Sequence, residues 1–169
     1  MRKRIPQILS TIVLLSALLF VGMFRQSRNV EATNITGNIS VNTTWNAAGS
    51  PYIMTENVTV LNGVTLTIDT SGGPVDVKAG GNFLLIINSG GTLNANGSAA
   101  SRVTFTHNTS TALGSWGGIQ VDTGGTANIL YGNIRYASYG VNSNGGTAVV
   151  SDSLFESNSY AGNAYNGGI

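Results

Sequence analysis

The triplet Gly-Gly-Thr occurs at 90–92, 124–126 and 145–147. Each of the last two copies opens a similar stretch, TANILYGNIRYASYG and TAVVSDSLFESNSYAG. Both stretches have a β-rich start, a second apolar pair and a Tyr close to a Gly. A repeat of roughly 20 residues, made of short strands and turns, is a β-solenoid period. In such a fold a coil buries its apolar side chains only by stacking on its neighbours. A sandwich gives no reason for a fixed repeat.

The strands are legible from alternation. Val58 and Val60 are two apart, as are Val64, Leu66 and Ile68, then Val75 and Val77, Val103 and Phe105, and Ile119 and Val121. Period two puts these side chains on one face and Thr65, Thr67, Asp76, Thr104 and Gln120 on the other. Gly-Gly, Asn-Gly and Ser-Gly pairs between the runs supply the backbone angles of tight turns. Laid coil on coil, the runs align in three columns. TLTI (65–68) falls over TLNA (92–95). VDVKAG (75–80) falls over VTFTHN (103–108) and then NIRYAS (133–138). LLII (84–87) falls over GGIQV (117–121) and then over a corner at Tyr139-Gly140-Val141. Three short strands per coil is the cross-section of a parallel β-helix, and the chain after position 32 would hold about five or six coils.

Charge narrows the function. Five of the eight basic residues stand in the first 28 positions. From Thr33 onward only Lys78, Arg102 and Arg135 face six carboxylates, a net −3. That body has no basic stripe to neutralise phosphates, so nucleic acid is excluded as a partner. With no cysteine, disulfides and thiol chemistry are excluded as well.

At the N-terminus Arg2-Lys3-Arg4 precedes an uncharged apolar run, Ile8 to Phe24, and Val30-Glu31-Ala32 offers a cleavage site. This is the export-signal pattern. Residues 1–32 are predicted to be a signal helix, either cleaved or kept as a membrane anchor at the short limit for a span. Residues 33–56 are predicted as an N-terminal cap segment and 57–169 as the coils. Either form places the body outside the cell or at its surface, with the membrane touched only through an uncleaved N-terminus.

Three stretches carry a family resemblance: TTWNAAGSPYIMTENVTVLNGVTLTI (43–68), GTLNANGSAASRVTFTHN (91–108) with SWGGIQV (115–121), and the I-x-Y-A-x-Y-G-V motif at 134–141. The chain resembles the secreted right-handed parallel β-helix repeat proteins of the pectate-lyase-like superfamily. The resemblance implies an all-β, right-handed, single-stranded parallel β-helix. It is weakly specific for function, because that fold carries lyases, hydrolases, adhesins and modules without activity. The last residues, Asn166-Gly-Gly-Ile169, read like the start of a further coil, so a fragment without its C-terminal cap is expected.

Lyases on this fold combine calcium-binding acids with an Arg or Lys base, and the hydrolases use clustered Asp residues. In the alignment Asp76 neighbours Thr104 and then Asn133, and Lys78 neighbours Thr106 and then Arg135. No two carboxylates converge, so the charges read as scattered over a solvated face. His107, the single histidine, reads as a turn residue. Arg135 and Glu156, which match in the Gly-Gly-Thr register, are predicted to form an exposed ion pair between coils. No catalytic, metal or cofactor site is predicted, and no cofactor. Carbohydrate contact, if present, falls to Trp116, Tyr131, Tyr136, Tyr139 and Tyr160, whose rings could stack on sugars or simply cover coil corners. Thr-x-Thr at 65–67 and 104–106 reads as β-propensity, since two isolated pairs do not make an ice-binding ladder. Two functions follow. The first is a non-catalytic surface module for adhesion or contact with a polysaccharide or cell-surface glycan. The alternative is the N-terminal fragment of a polysaccharide lyase or glycoside hydrolase whose active coils lie beyond residue 169.

Overall fold

The structure, a computed structural model, describes residues 31–165. The predicted export signal lies outside the described residues except for Glu31 and Ala32. Sixteen short strands follow: β1 (Thr33–Ile35), β2 (Thr43–Asn46), β3 (Tyr52–Met54), β4 (Val58–Val60), β5 (Thr65–Asp69), β6 (Val75–Ala79), β7 (Leu84–Ile87), β8 (Thr92–Asn96), β9 (Val103–His107), β10 (Trp116–Asp122), β11 (Thr126–Leu130), β12 (Gly132–Arg135), β13 (Ala137–Asn144), β14 (Thr147–Ser151), β15 (Leu154–Glu156) and β16 (Tyr160–Tyr165). They build three sheets. Sheet A stacks β1, β3, β6, β9, β12 and β15. Sheet B stacks β4, β7, β10, β13 and β16, and sheet C stacks β2, β5, β8, β11 and β14. From β2 onward the chain visits C, A and B in strict rotation, making five coils of a parallel β-solenoid.

The predicted columns are present in the predicted register. Thr65 pairs with Thr92 and Ile68 with Ala95. Asp76 pairs with Thr104, which pairs in turn with Asn133, and Lys78 pairs with Thr106. Leu84 pairs with Gly118, which pairs with Tyr139. Residues 139–141 are therefore strand, inside β13, where the sequence suggests a corner. The reason is Gly118 (φ 106°): the register shifts between Gly118 and Ile119, and this bulge admits one extra residue of β13.

The period is less uniform than the triplets suggest. Thr43 pairs with Leu66, Thr65 with Thr92, Thr92 with Thr126 and Thr126 with Thr147. The coil from Thr92 is the longest of these and the coil from Thr126 the shortest. Between these two coils the strands keep the same total length, and the corners absorb the difference. In the short coil single residues in the left-handed region, Tyr131 (φ 51°) and Tyr136 (φ 62°), turn the chain from sheet to sheet. The long coil instead carries loops at 97–102 and 108–115.

The Gly-Gly-Thr triplets all occupy the corner from sheet B to sheet C. Gly90, Gly124 and Gly145 have φ between 71° and 81°. A Cβ on Gly91 or Gly125 would stand 2.6 or 2.5 Å from the carbonyl oxygen of Val60 or Ile87 in the coil below. Only glycine lets the backbones approach this closely while leaving the left-handed angle free of strain. The following threonine starts the next strand of sheet C, its N–H donating to the coil before: Thr126 to Gly91 (3.0 Å) and Thr147 to Gly125 (3.0 Å).

Inside, each sheet contributes ladders. Leu66, Leu93 and Ala127 stack on sheet C, Val77, Phe105 and Ile134 on sheet A, and Leu85, Ile119 and Val141 on sheet B, all buried. Burying one large aliphatic or aromatic side chain stabilises by about 1.5–3 kcal/mol, so the stack is the main source of stability. Ser143, buried beside Val121, satisfies its hydroxyl by donating to the Gly146 carbonyl (2.7 Å). Outside, sheet C presents three columns, polar except for the exposed Leu130 and Val149. Thr65, Thr92, Thr126 and Thr147 form one, and Thr44, Thr67, Asn94, Asn128 and Val149 form the second. Asn46, Asp69, Asn96, Leu130 and Ser151 form the third.

Candidate functional site

The outer face of sheet A is the one that a loop covers. Strand β9 runs out at His107, and residues 108–115 fold over this face before β10 begins. Local bonds hold the loop. His107 Nδ1 accepts from the N–H of Thr109 (3.1 Å) and Ser110 (2.8 Å). An imidazole nitrogen that accepts twice carries no proton, so the ring proton sits on Nε2. His107 is thus the turn residue the sequence suggests. Ser110 and Ser115 hydroxyls meet at 2.7 Å, and Ser115 donates to the Ala112 carbonyl (2.6 Å). The indole N–H of Trp116 donates to the Arg135 carbonyl (2.7 Å) and ties the end of the loop to the next coil.

Beneath this loop lies a cleft of about 330 Å³. Its floor is the outward side of β6, β9 and β12, with Asp76, Lys78, Thr104, Thr106 and Arg135, and Tyr136 and His107 close its side. Lys78 Nζ stands 3.5 Å from Asp76 Oδ2, both partly exposed, so the pair adds under about 1 kcal/mol and serves to aim the two heads. The Arg135 guanidinium lies 5.7 Å from the Tyr136 ring centroid, and its Nε is buried with no hydrogen-bond partner among the described residues. The expectation of scattered charges is therefore corrected. Two of the body's three basic residues, one carboxylate and the single histidine converge, because the columns are adjacent and the loop gathers them. The tell-tale in the sequence is the long spacer HNTSTALGS between VTFT and WGGIQV.

The predicted ion pair is corrected in part. Arg135 and Glu156 do pair in register on β12 and β15, yet no ion pair joins them among the described residues. The guanidinium stays over Tyr136 instead. The aromatic candidates separate. Trp116 is fully buried and has no face to offer a sugar, since its ring fills the core and its N–H is engaged. Tyr131 sits 5.5 Å under Arg102 at another corner. Tyr139 and Tyr160 stack on each other at 4.9 Å on the outer side of sheet B, both exposed. Of the five, Tyr136 borders the cleft.

Hydroxyl, amide and charged side chains line most of the cleft. Among the described residues that line it, Asp76 is the one carboxylate. Among the described residues no group of three His, Asp or Glu stands close enough to hold a metal ion. A second, shallower cleft of about 400 Å³ lies between the first two coils near Asn46 and Asp69. There Asp69 accepts from the Ser71 N–H and the Ser71 hydroxyl (both 2.9 Å), and these bonds, the backbone one foremost, hold its carboxyl below the ordinary value of 3.8.

Comparison with known proteins agrees with the fold. A family model described as a pectate-lyase like beta helix domain matches residues 37–167. Neither the curated proteins nor the solved structures give a match. The matched span includes all strands from β2 to β16, and the chain belongs to the pectate-lyase-like β-helix domain family.

Proposed function

We propose that this chain is a non-catalytic, exported glycan-contacting module that seats a polysaccharide segment in the cleft under the 108–115 loop. The carrying observation is that Lys78, Arg135, Asp76, Thr104 and Tyr136 line one cleft. Hydroxyl and charged groups there bond to sugar hydroxyls, with the Arg135 guanidinium held in place over the Tyr136 ring. Export is supported by Arg2-Lys3-Arg4 and the apolar run after it. The single carboxylate among the residues lining the cleft supports binding without cleavage. The test is a glycan array followed by calorimetry on the full chain. Binding of at least one polysaccharide class is expected, with a loss of tenfold or more in Lys78→Ala and Arg135→Ala, about 1.4 kcal/mol each. Binding unaffected by both changes, or none at all, would overturn the cleft as the contact. Release of unsaturated or reducing sugar ends by the wild-type chain would overturn the non-catalytic reading in favour of a lyase or hydrolase.

A further inference from the structure

We infer that the outer face of sheet C is an ice-binding surface, independent of the cleft on sheet A. Thr65 and Thr67 are no isolated pair, because the register places Thr65, Thr92, Thr126 and Thr147 in one unbroken column. The second column, with Thr67, Asn94 and Asn128, runs beside it and ends on the exposed Val149. Thr104 and Thr106 lie on sheet A and take no part.

Four observations favour a neutral crystalline partner, and water ice over others. Sheet C has no register shift along its five strands, unlike sheet B. Its groups therefore repeat at about 4.8 Å from coil to coil and about 6.6 Å along a strand. The coil-to-coil interval is close to the shorter repeat of water oxygens on the prism faces of hexagonal ice. The grid is neutral except for Asp69 at its edge, whose carboxylate turns back to Ser71. A neutral face has nothing to select a charged partner. The threonine hydroxyls that bond within the chain are those of Thr33, Thr43, Thr55, Thr70 and Thr123 among the described residues, so the grid keeps its hydroxyls unengaged. The amides are aligned rather than random, Asn128 Nδ2 donating to Asn94 Oδ1 at 2.9 Å. Ordered waters bridging such a grid would match an ice plane.

The experiment measures thermal hysteresis, ice recrystallisation and partition into a growing ice hemisphere with the full chain. Hysteresis and enrichment in ice are expected, falling to the buffer level in Thr92→Lys/Thr126→Lys while circular dichroism and melting stay as in the parent. Thr67→Tyr, nearer the other end of the grid, provides the same reading should the double variant fail to fold. Asn163→Lys on sheet B should keep the hysteresis. No hysteresis and no partition in the parent would overturn the proposal. So would hysteresis that survives both sheet C variants, or that Asn163→Lys abolishes. Retention on insoluble cellulose or chitin without hysteresis would also overturn it and assign the grid to a crystalline neutral polysaccharide.

Discussion

The coil that starts at Thr92 and the coil that starts at Thr126 use the same three strands and differ in their corners. The first is the longest and carries the loop at 108–115, whereas the second is the shortest and turns on single residues, Tyr131 and Tyr136. Both bury continuous ladders, Leu93 against Ala127 and Phe105 against Ile134. The stack therefore depends on the strands, and the corners are free to vary as long as they return the chain in register. Where a corner is long it roofs a face and makes a cleft. Where it is short the outer faces stay as bare ladders, such as Tyr139 on Tyr160. A solenoid can thus roof a face shared by several coils with the lengthened corner of one, without disturbing the stack.

That contrast can be broken in order of effect. Gly118→Ala should be the most damaging change, by about 4 kcal/mol or more, because its Cβ would enter the Tyr139 carbonyl at a left-handed backbone angle. Urea unfolding measures it, and a loss below about 1 kcal/mol would show that the bulge is not required. Trp116→Phe keeps the ring in the core but leaves the Arg135 carbonyl without its donor. The expected cost is about 1–2 kcal/mol, with faster proteolysis confined to the 108–115 loop if the indole bond anchors it. Asp152→Gly and Ser157→Gly act the other way, since both residues hold φ near 50° at the corners that correspond to Tyr131 and Tyr136. Each should stabilise by up to about 1 kcal/mol, because left-handed angles cost an L-residue that order of energy. Destabilisation by either would mean that the side chain outweighs the backbone strain. The smallest effect concerns Asp69. Its carboxyl titrates below the usual value when folded, so its contribution is complete above the unfolded value and fades as pH falls through the folded one. Asp69→Asn should flatten the acid limb of stability as pH falls below the unfolded carboxyl value. An unchanged acid limb would show that the Ser71 bonds do not persist in solution.

Much of the fold is legible because β-solenoids write their geometry locally. Alternation marks Val75, Val77, Val103 and Phe105 as inward, and all four are buried. The column alignment places Asp76 by Thr104 and Arg135 by Glu156 correctly, since in a parallel stack register follows from matching apolar positions. The site is harder to read. Lys78, Asp76 and Arg135 share neighbouring columns in the alignment, but nothing local shows that residues 108–115 fold over them. Trp116 is a candidate for sugar contact on sequence grounds because it borders a glycine turn, yet its ring points inward, where β10 needs bulk. The grid on sheet C escapes a linear reading because its rungs come from TLT, TLN, TAN and TAV, which look alike only once aligned.

Alternating apolar residues and glycine pairs suffice to specify the coil, because they act between residues close along the chain or at a near-regular offset. Composition likewise suffices for the low charge of the body. Which outer face is roofed, which aromatic rings are buried and which threonines align into a grid emerge only when the coils are stacked. Those outcomes depend on corners of unequal length, long after β8 and short after β11, returning the chain to one common register. That register is a property of the whole stack, and no single segment contains it.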